Sequence, residues 1–336
     1  MILKELITRQ IPTAFCHASN IIALPNKEFL CCWFGGSFEG ASDVAIYASR
    51  RTTCGWSKPV KLTNGKEAAW NPVLFLSKDG ILKLFYKEGQ YISQWRTMLL
   101  NSIDCGYTWS MPRELVPGDN SGGRGPVRNK ILKLKSGRLV AGASTEHVNW
   151  TAFADLSDDG GINWYKSQII TIQSLSCSLA QKITESNIPV SKQSFNGRGI
   201  IQPSLWQNED DSVHMLLRSS EGWIYRSDST DNGLNWCTAY PINIPNNNSG
   251  IDLTKAENGT IFLVCNPVGD NWGARFPLTI FRSDNEGQTW KRILDLERGP
   301  GEFSYPATII QNGKLIVTYT WKRKAIAFVC VDLVDL

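Results

Sequence analysis

One eight-residue pattern, Ser-x-Asp/Asn-x-Gly-x-x-Trp, occurs four times in this 336-residue chain: from Ser102 to Trp109, Ser157 to Trp164, Ser229 to Trp236 and Ser283 to Trp290. Ser49 and Trp56 keep the ends of a fifth, degenerate copy at the same separation. The Ser residues fall 53, 55, 72 and 54 positions apart. A recurrence near 54 residues is the mark of a repeat architecture. The motif itself reads as a mechanical clasp. Short Ser and Asp side chains fold back onto backbone N–H groups to hold a tight turn. Gly supplies a left-handed backbone position. Trp buries a large apolar surface that pins the turn to its unit. Nothing in the motif pairs a nucleophile with a base, so it is read as structure, not as a site.

A second recurrence runs in step with the first. Turn dipeptides precede apolar runs at Asn26-Lys27, Asp79-Gly80, Ser136-Gly137, Asp210-Asp211, Asn258-Gly259 and Asn312-Gly313. Each reads as a hairpin entering a strand. Six units result, five of them followed by a clasp, and the sixth ends in a strand from Ala325 to Leu333. Each unit is too small to bury a core alone. The expected fold is therefore all-β, a single domain over residues 1–336 forming a six-bladed β-propeller of four-stranded antiparallel blades. The 72-residue spacing is one period plus an insertion at about 171–199, read as a surface excursion or lid.

Composition fits such a chain and excludes several function classes. Hydrophobic residues make up 42% and charged residues 20%, enough apolar content for a large core. The net charge of +4 comes without any Lys/Arg run, so no nucleic-acid partner is expected. No apolar stretch reaches the ~18 residues of a membrane-spanning helix, and the first residues lack the apolar core of a signal peptide. The nine cysteines show no metal-binding spacing and read as reduced, buried thiols, consistent with a cytoplasmic location. No metal or organic cofactor is expected, and the sequence does not set the oligomeric state.

Propellers bind ligands at one end of the central channel. Aligning the six units places His17, Asn71, Arg128-Asn129-Lys130, Gln202, Asp252 and Tyr305 at the starts of the first strands. The segments leaving the second strands contribute Glu39 and Asp43, Lys87 with Arg96, Glu146, Arg218, and Arg275. Charge at apolar strand ends needs a partner. Gathered on one axis, these residues make a cationic pocket with carboxylates beside it. Each also has a plainer reading: His17 as a satisfied core histidine, Arg275 as a surface loop cation, Asp43 as a strand cap, Tyr305 as a packed strand residue.

Here the chain resembles the sialidase superfamily, whose members carry these clasps as Asp-boxes, or BNR repeats, on a six-bladed propeller. The similarity extends over nearly the whole chain. It includes the order of Leu217-Arg218-Ser219, Asn266-Pro267 through Arg275, and Ser304-Tyr305-Pro306. The resemblance implies that Arg218 and Arg275 clamp a substrate carboxylate, that Tyr305 is the nucleophile, and that Glu39, or less directly Asp43, is the acid/base. It implies an exo-glycosidase acting on an acidic sugar such as a sialic or other ulosonic acid. A phenol suits that role because an anionic nucleophile would repel the substrate carboxylate. Two positions depart from the family. Its first clamp Arg belongs to an Arg-Ile-Pro strand start; this chain has Arg9-Gln-Ile-Pro12, and the repeat register puts His17 there. The family's tyrosine-activating Glu falls at Gln202. Arg96 is the expected substitute for the clamp, and Glu146, Glu302 or His17 for the base. Two alternatives stay open. One is a lyase acting on a uronate, with His17 and Tyr305 exchanging protons. The other is a propeller that only binds carbohydrate or protein.

Overall fold

The computed structural model describes residues 2–8, 10–147, 149–172 and 197–336. The described strands form five hydrogen-bonded sheets. The largest holds two antiparallel units joined by a short parallel pairing of Asn149 and Trp150 with Arg198 and Gly199. Divided there, the sheets give six units in chain order. Their first strands are Phe15–Ala23, Ala69–Leu76, Leu132–Lys133, Arg198–Gln207, Asp252–Lys255 and Phe303–Gln311. All six turn dipeptides lie between a first strand and a second. The sixth unit takes its fourth strand from the other end of the chain: Ile2–Leu6 pairs antiparallel with Ala325–Asp332. The sequence pattern did not reveal that strand, because its residues are exposed or half-buried and no clasp precedes it. The insertion expected at about 171–199 falls largely on 173–196, outside the described residues. At one flank Ile172 bridges to Ala239.

First strands lie side by side. The strand Phe15–Ala23 touches both Ala69–Leu76 and Phe303–Gln311, and Asp252–Lys255 touches Phe303–Gln311 and Arg198–Gln207. Where they meet, the interior is polar and mostly hydrogen-bonded. Asp252, 2% exposed, accepts hydrogen bonds from Ser204 Oγ at 2.7 Å, Lys130 Nζ at 2.7 Å and the Thr308 N–H at 2.7 Å. It thereby ties the third, fourth and sixth units together. Asn129 donates to the carbonyls of Gln202 and Pro203, and Arg128 donates to the Pro306 carbonyl at 2.8 Å. Buried polar groups of this kind are costly unless paired.

The clasps sit after the third strands and repeat one geometry. The Gly N–H of each donates to the clasp Ser Oγ, at 2.8 Å in Gly106 and Gly161 and 3.0 Å in Gly233 and Gly287. The residue before each Trp donates its N–H to the Asp or Asn at 2.9 Å. The four glycines have φ between 76° and 88°, which only Gly adopts at little cost. One expectation is corrected. The Trp does not pin its turn only to its own unit; it packs into the gap toward the preceding one. Trp164 of the third unit meets Phe85 of the second, ring centroids 6.3 Å apart, and Trp236 of the fourth packs with Val140 and Ala154 of the third. The clasps are therefore inter-unit fasteners. The expectation of buried thiols holds for Cys16, Cys31, Cys32 and Cys265, whereas Cys54 and Cys237 are exposed.

Two tests follow from the clasps. Trp164 is 8% exposed, so Trp164→Ala should cost on the order of 3–5 kcal/mol in a denaturant titration; an unchanged midpoint would rule out the fastener role. Backbone donation from Asn163 is the main reason the Asp159 carboxyl is lowered to about 2. A depressed folded value adds stability that is complete above the unfolded value of about 3.9 and is lost as pH falls from there through about 2. Asp159→Asn should flatten the stability slope in that window, while a slope equal to wild type would show the clasp carboxylate to be energetically idle.

Candidate functional site

The first strands are not regular at their starts. Four carry a β-bulge, between His17 and Asn20, Trp70 and Val73, Ile201 and Ser204, and Ser304 and Ala307. Within each bulge one residue is left-handed: Ala18 at φ 54°, Asn71 at 44°, Gln202 at 56° and Tyr305 at 54°. Gly125 at 61° and Asn248 at 59° precede the first strands of the third and fifth units. Such backbone is uncommon for side chains other than Gly, and bulges re-aim side chains. Here they turn Asn71, Gln202 and Tyr305 into a single cavity open to solvent.

The cavity has two unlike walls. One is apolar, built by Phe34, Trp70, Ile92 and Trp95, with Trp70 packed at a tilt between Phe34 at 5.5 Å and Trp95 at 5.3 Å. The other is charged. Arg218, 2% exposed, ends the second strand of the fourth unit. It donates to Tyr305 Oη at 2.6 Å, to Gln202 Oε1 at 3.3 Å and to Asn248 Oδ1 at 3.0 and 3.1 Å. Arg275 donates to Glu302 Oε1 at 2.6 Å. Arg323, in the turn after Lys314–Trp321, donates through Nε to the same carboxylate and through Nη1 to Glu39 Oε2. All three arginines line the cavity. Glu302 is held below the ordinary carboxylate range: burial pushes it up, but Arg275 and Arg323 outweigh that.

Tyr305 lies within this cationic cluster, with the guanidinium carbons of Arg128, Arg218 and Arg275 at 5.3, 5.6 and 5.6 Å from its ring centroid. His17 packs on its other side, centroids 4.2 Å apart, and its Nδ1 meets Thr320 Oγ1 at 2.9 Å. Burial, and then the charges of Arg323, Arg275, Arg128 and Arg218, hold His17 well below the usual imidazole range, so it is neutral at physiological pH. Glu146 ends the second strand of the third unit and receives Gln202 Nε2 at 3.4 Å. Burial raises its carboxyl, partly offset by Arg218.

The structure brings His17, Glu39, Asn71, Glu146, Gln202, Arg218, Arg275 and Tyr305 to this cavity. It separates the other expected residues from it. Arg96 lies in a surface network with Glu67, Glu88 and Glu114. Lys87 is buried against Thr97 Oγ1 and the Arg124 carbonyl, and burial lowers its amine to about 7. Asp43 accepts from Ser37 and merely closes the loop that carries Glu39. Arg128, Lys130 and Asp252 belong to the polar interior, with Arg128 beneath Tyr305. Their displacement has one cause, a register error. The left-handed positions of the third and fifth units are Gly125 and Asn248, so Arg128 lies three residues too far along and Asp252 four. The signal was in the sequence: Gly125-Pro126 matches Asn71-Pro72, Gln202-Pro203 and Tyr305-Pro306. The residue missed was Arg323, which stands where a third clamp was sought from Arg96. Arg9 lies outside the described residues. Among the described residues no group of His, Cys, Asp and Glu is arranged to hold a metal ion.

An all-β chain with Asp-box fasteners and an arginine-lined cavity around a half-buried tyrosine defines a sialidase-like BNR-repeat protein. The BNR repeat-like domain model matches residues 27–317, and the chain belongs to that family. No curated protein matches the sequence. Among solved structures, it is similar to a protein of unknown function from Dyadobacter fermentans, at 12% identity over 98% of this chain and 99% of that one, with a TM-score of 0.76. The NanB sialidase of Streptococcus pneumoniae is similar at 12% identity over 99% of this chain and 71% of that one, TM-score 0.75. A Trypanosoma rangeli sialidase in complex with sialic acid is similar at 12% identity and TM-score 0.67, this chain covering 55% of its length. At these identities the likeness is one of fold. Among the described residues no helix is long and apolar enough to cross a membrane.

The placement of the arginines yields a test. Arg323→Ala should raise the dissociation constant of a carboxylate ligand about 10- to 100-fold, since a charge-assisted bond contributes about 1.5–3 kcal/mol. Arg96→Ala should leave it unchanged. Calorimetric titration giving the reverse order would remove Arg323 from the site.

Proposed function

We propose that this chain is a single-domain, six-bladed propeller acting as an exo-glycosidase on an acidic sugar, a sialic or other ulosonic acid. The observation that carries the reading is the convergence of Arg218, Arg275 and Arg323 on one cavity, with Tyr305 Oη bound by Arg218 at 2.6 Å. The unused N–H groups of the three guanidiniums grip the sugar carboxylate through charge-assisted bonds. The apolar wall of Phe34, Trp70, Ile92 and Trp95 takes a non-polar part of the sugar. Asn71 and Gln202 offer amide groups to its hydroxyls.

Tyr305, its phenol proton released to solvent, attacks the anomeric carbon through Oη while a cavity carboxyl, Glu39 or Glu146, protonates the leaving oxygen. Water, deprotonated by the same carboxylate, then displaces the tyrosine. The Arg218 donor stabilises negative charge on Oη whenever the phenolate is the attacking or departing group. Neither Gln202 nor Arg218 accepts a proton there, so the guanidinium acts by holding the phenolate once it has formed.

A panel of acidic glycosides tests the reading. Tyr305→Phe should lower kcat on the order of 10³-fold or more with little change in binding, because a nucleophile and not a clamp is removed. Near-normal turnover in that variant would exclude the tyrosine mechanism. One observation favours a second reading, a lyase: His17 is neutral and lies against Tyr305, as proton exchange beside a clamped uronate would require. An ultraviolet-absorbing unsaturated product, abolished in His17→Ala, would establish it. Neither product would leave a binding propeller.

A further inference from the structure

Of the two carboxylic residues that line the cavity, only one is free to carry a proton. Glu39 is ion-paired with Arg323, whose Nε is held in turn by Glu302. Protonating Glu39 would break that pair and leave a largely enclosed guanidinium half-satisfied, which is unfavourable. Its geometry is that of a strut for the arginine cluster. Glu146 makes no ion pair among the described residues. Its one described hydrogen bond comes from the neutral Gln202 amide, at 3.4 Å to Oε1, which leaves Oε2 for the proton. It stands at the end of the strand Leu139–Glu146, opposite Trp150 in the sheet register, with its carboxyl in the cavity lining.

We propose that Glu146, not Glu39, is the catalytic acid/base of this site, and that Glu39 is a positioning residue for Arg323. The assignment rests on the glycosidase reading above. In the first step the Glu146 O–H proton passes to the glycosidic oxygen as the bond from that oxygen to the anomeric carbon breaks and the bond from the Tyr305 phenolate oxygen, its proton already lost to solvent, forms. In the second, the Glu146 carboxylate takes a proton from water as the water oxygen bonds to the anomeric carbon and Tyr305 Oη departs. The cycle closes with Glu146 protonated again. Burial favours the protonated acid at rest, while the Arg218 charge supports the carboxylate formed on proton loss. Gln202 fits this scheme as an orienting donor. A Glu at that position would stand against Glu146 as a second negative charge.

The experiment uses two glycosides of the acidic sugar that the wild-type protein turns over, one with a nitrophenyl leaving group and one with a methyl leaving group. Glu146→Gln should lose on the order of 10²-fold or more in kcat/KM on the methyl glycoside and far less on the nitrophenyl one, because only the poor leaving group needs protonation. The alkaline limb of the pH–rate profile should vanish with it. In Glu146→Ala, added azide should restore turnover of the nitrophenyl glycoside, a response that a folding defect would not give. Glu39→Gln should raise KM on both substrates alike and keep the alkaline limb. The assignment is overturned if the leaving-group dependence and the lost limb appear in Glu39→Gln instead, or if Glu146→Gln lowers both substrates equally. Those outcomes leave the glycosidase intact. Absence of wild-type turnover on every acidic glycoside would overturn the glycosidase reading itself.

Discussion

A left-handed residue stands at or just before the start of each first strand, and the site depends on it. The bulge it creates interrupts pairing with the second strand and swings the side chain off the sheet. Asn71, Gln202 and Tyr305 thereby reach the same cavity from three different units. A Pro follows each of the three and cannot donate to the ladder, so it suits a place where the ladder is already broken. The conformation costs on the order of 1–3 kcal/mol for a non-glycine residue. For Tyr305 that cost is offset by what the rotated ring meets: His17 on one side, arginines around it, and Arg218 on its oxygen.

Electrostatics set the next constraint. Three arginines lie around the Tyr305 ring and a fourth, Arg323, lines the same cavity; burying like charges together is unfavourable unless carboxylates neutralise them. Glu302 serves two of the four, and Glu39 serves one of those two again. Arg128, buried beneath the ring, has no carboxylate in contact among the described residues; it donates to a carbonyl, and burial depresses it to about 10. His17, in the same field, remains neutral. The carboxylates at Arg275 and Arg323 thus neutralise part of the cluster. The unused N–H groups remain for a ligand. This division explains why Glu302 is not itself in the cavity lining although it touches two residues that are.

What was readable in the sequence follows from range. Clasps are local: Ser102, Asp104 and Gly106 bond within six residues, so their spacing carries the whole geometry. Hairpin turns are local too, and all six lie between the expected strands. The bulges are nearly local, and Xaa-Pro pairs mark three of the four. Arg128 and Asp252 went astray because charge was taken as the guide where backbone conformation was the better one. The Glu39–Arg323 pair spans 284 positions. No pattern along the chain connects a glycine-rich loop near the start to a Lys-Arg turn near the end. Nor does any pattern show that the strand Ile2–Leu6 closes the last unit.

Lys87, Arg96 and Arg323 show why residue type alone does not locate a site. Each is a cation at or just beyond the end of a strand. Lys87 is fully buried and strongly shifted, the profile often associated with catalysis. Yet its amine is spent on Thr97 and a backbone carbonyl between the second and third units. Arg96 is surrounded by three carboxylates and faces solvent. Arg323 is ordinary in sequence, but its turn projects from the unit that adjoins the first, beside the loop of Glu39. Its guanidinium is stabilised by Glu39 and Glu302 against the cost of burial. Function at this cavity is therefore a property of position around the ring. A side chain acts there when its unit aims it inward and a neighbouring unit supplies the opposite charge that holds it.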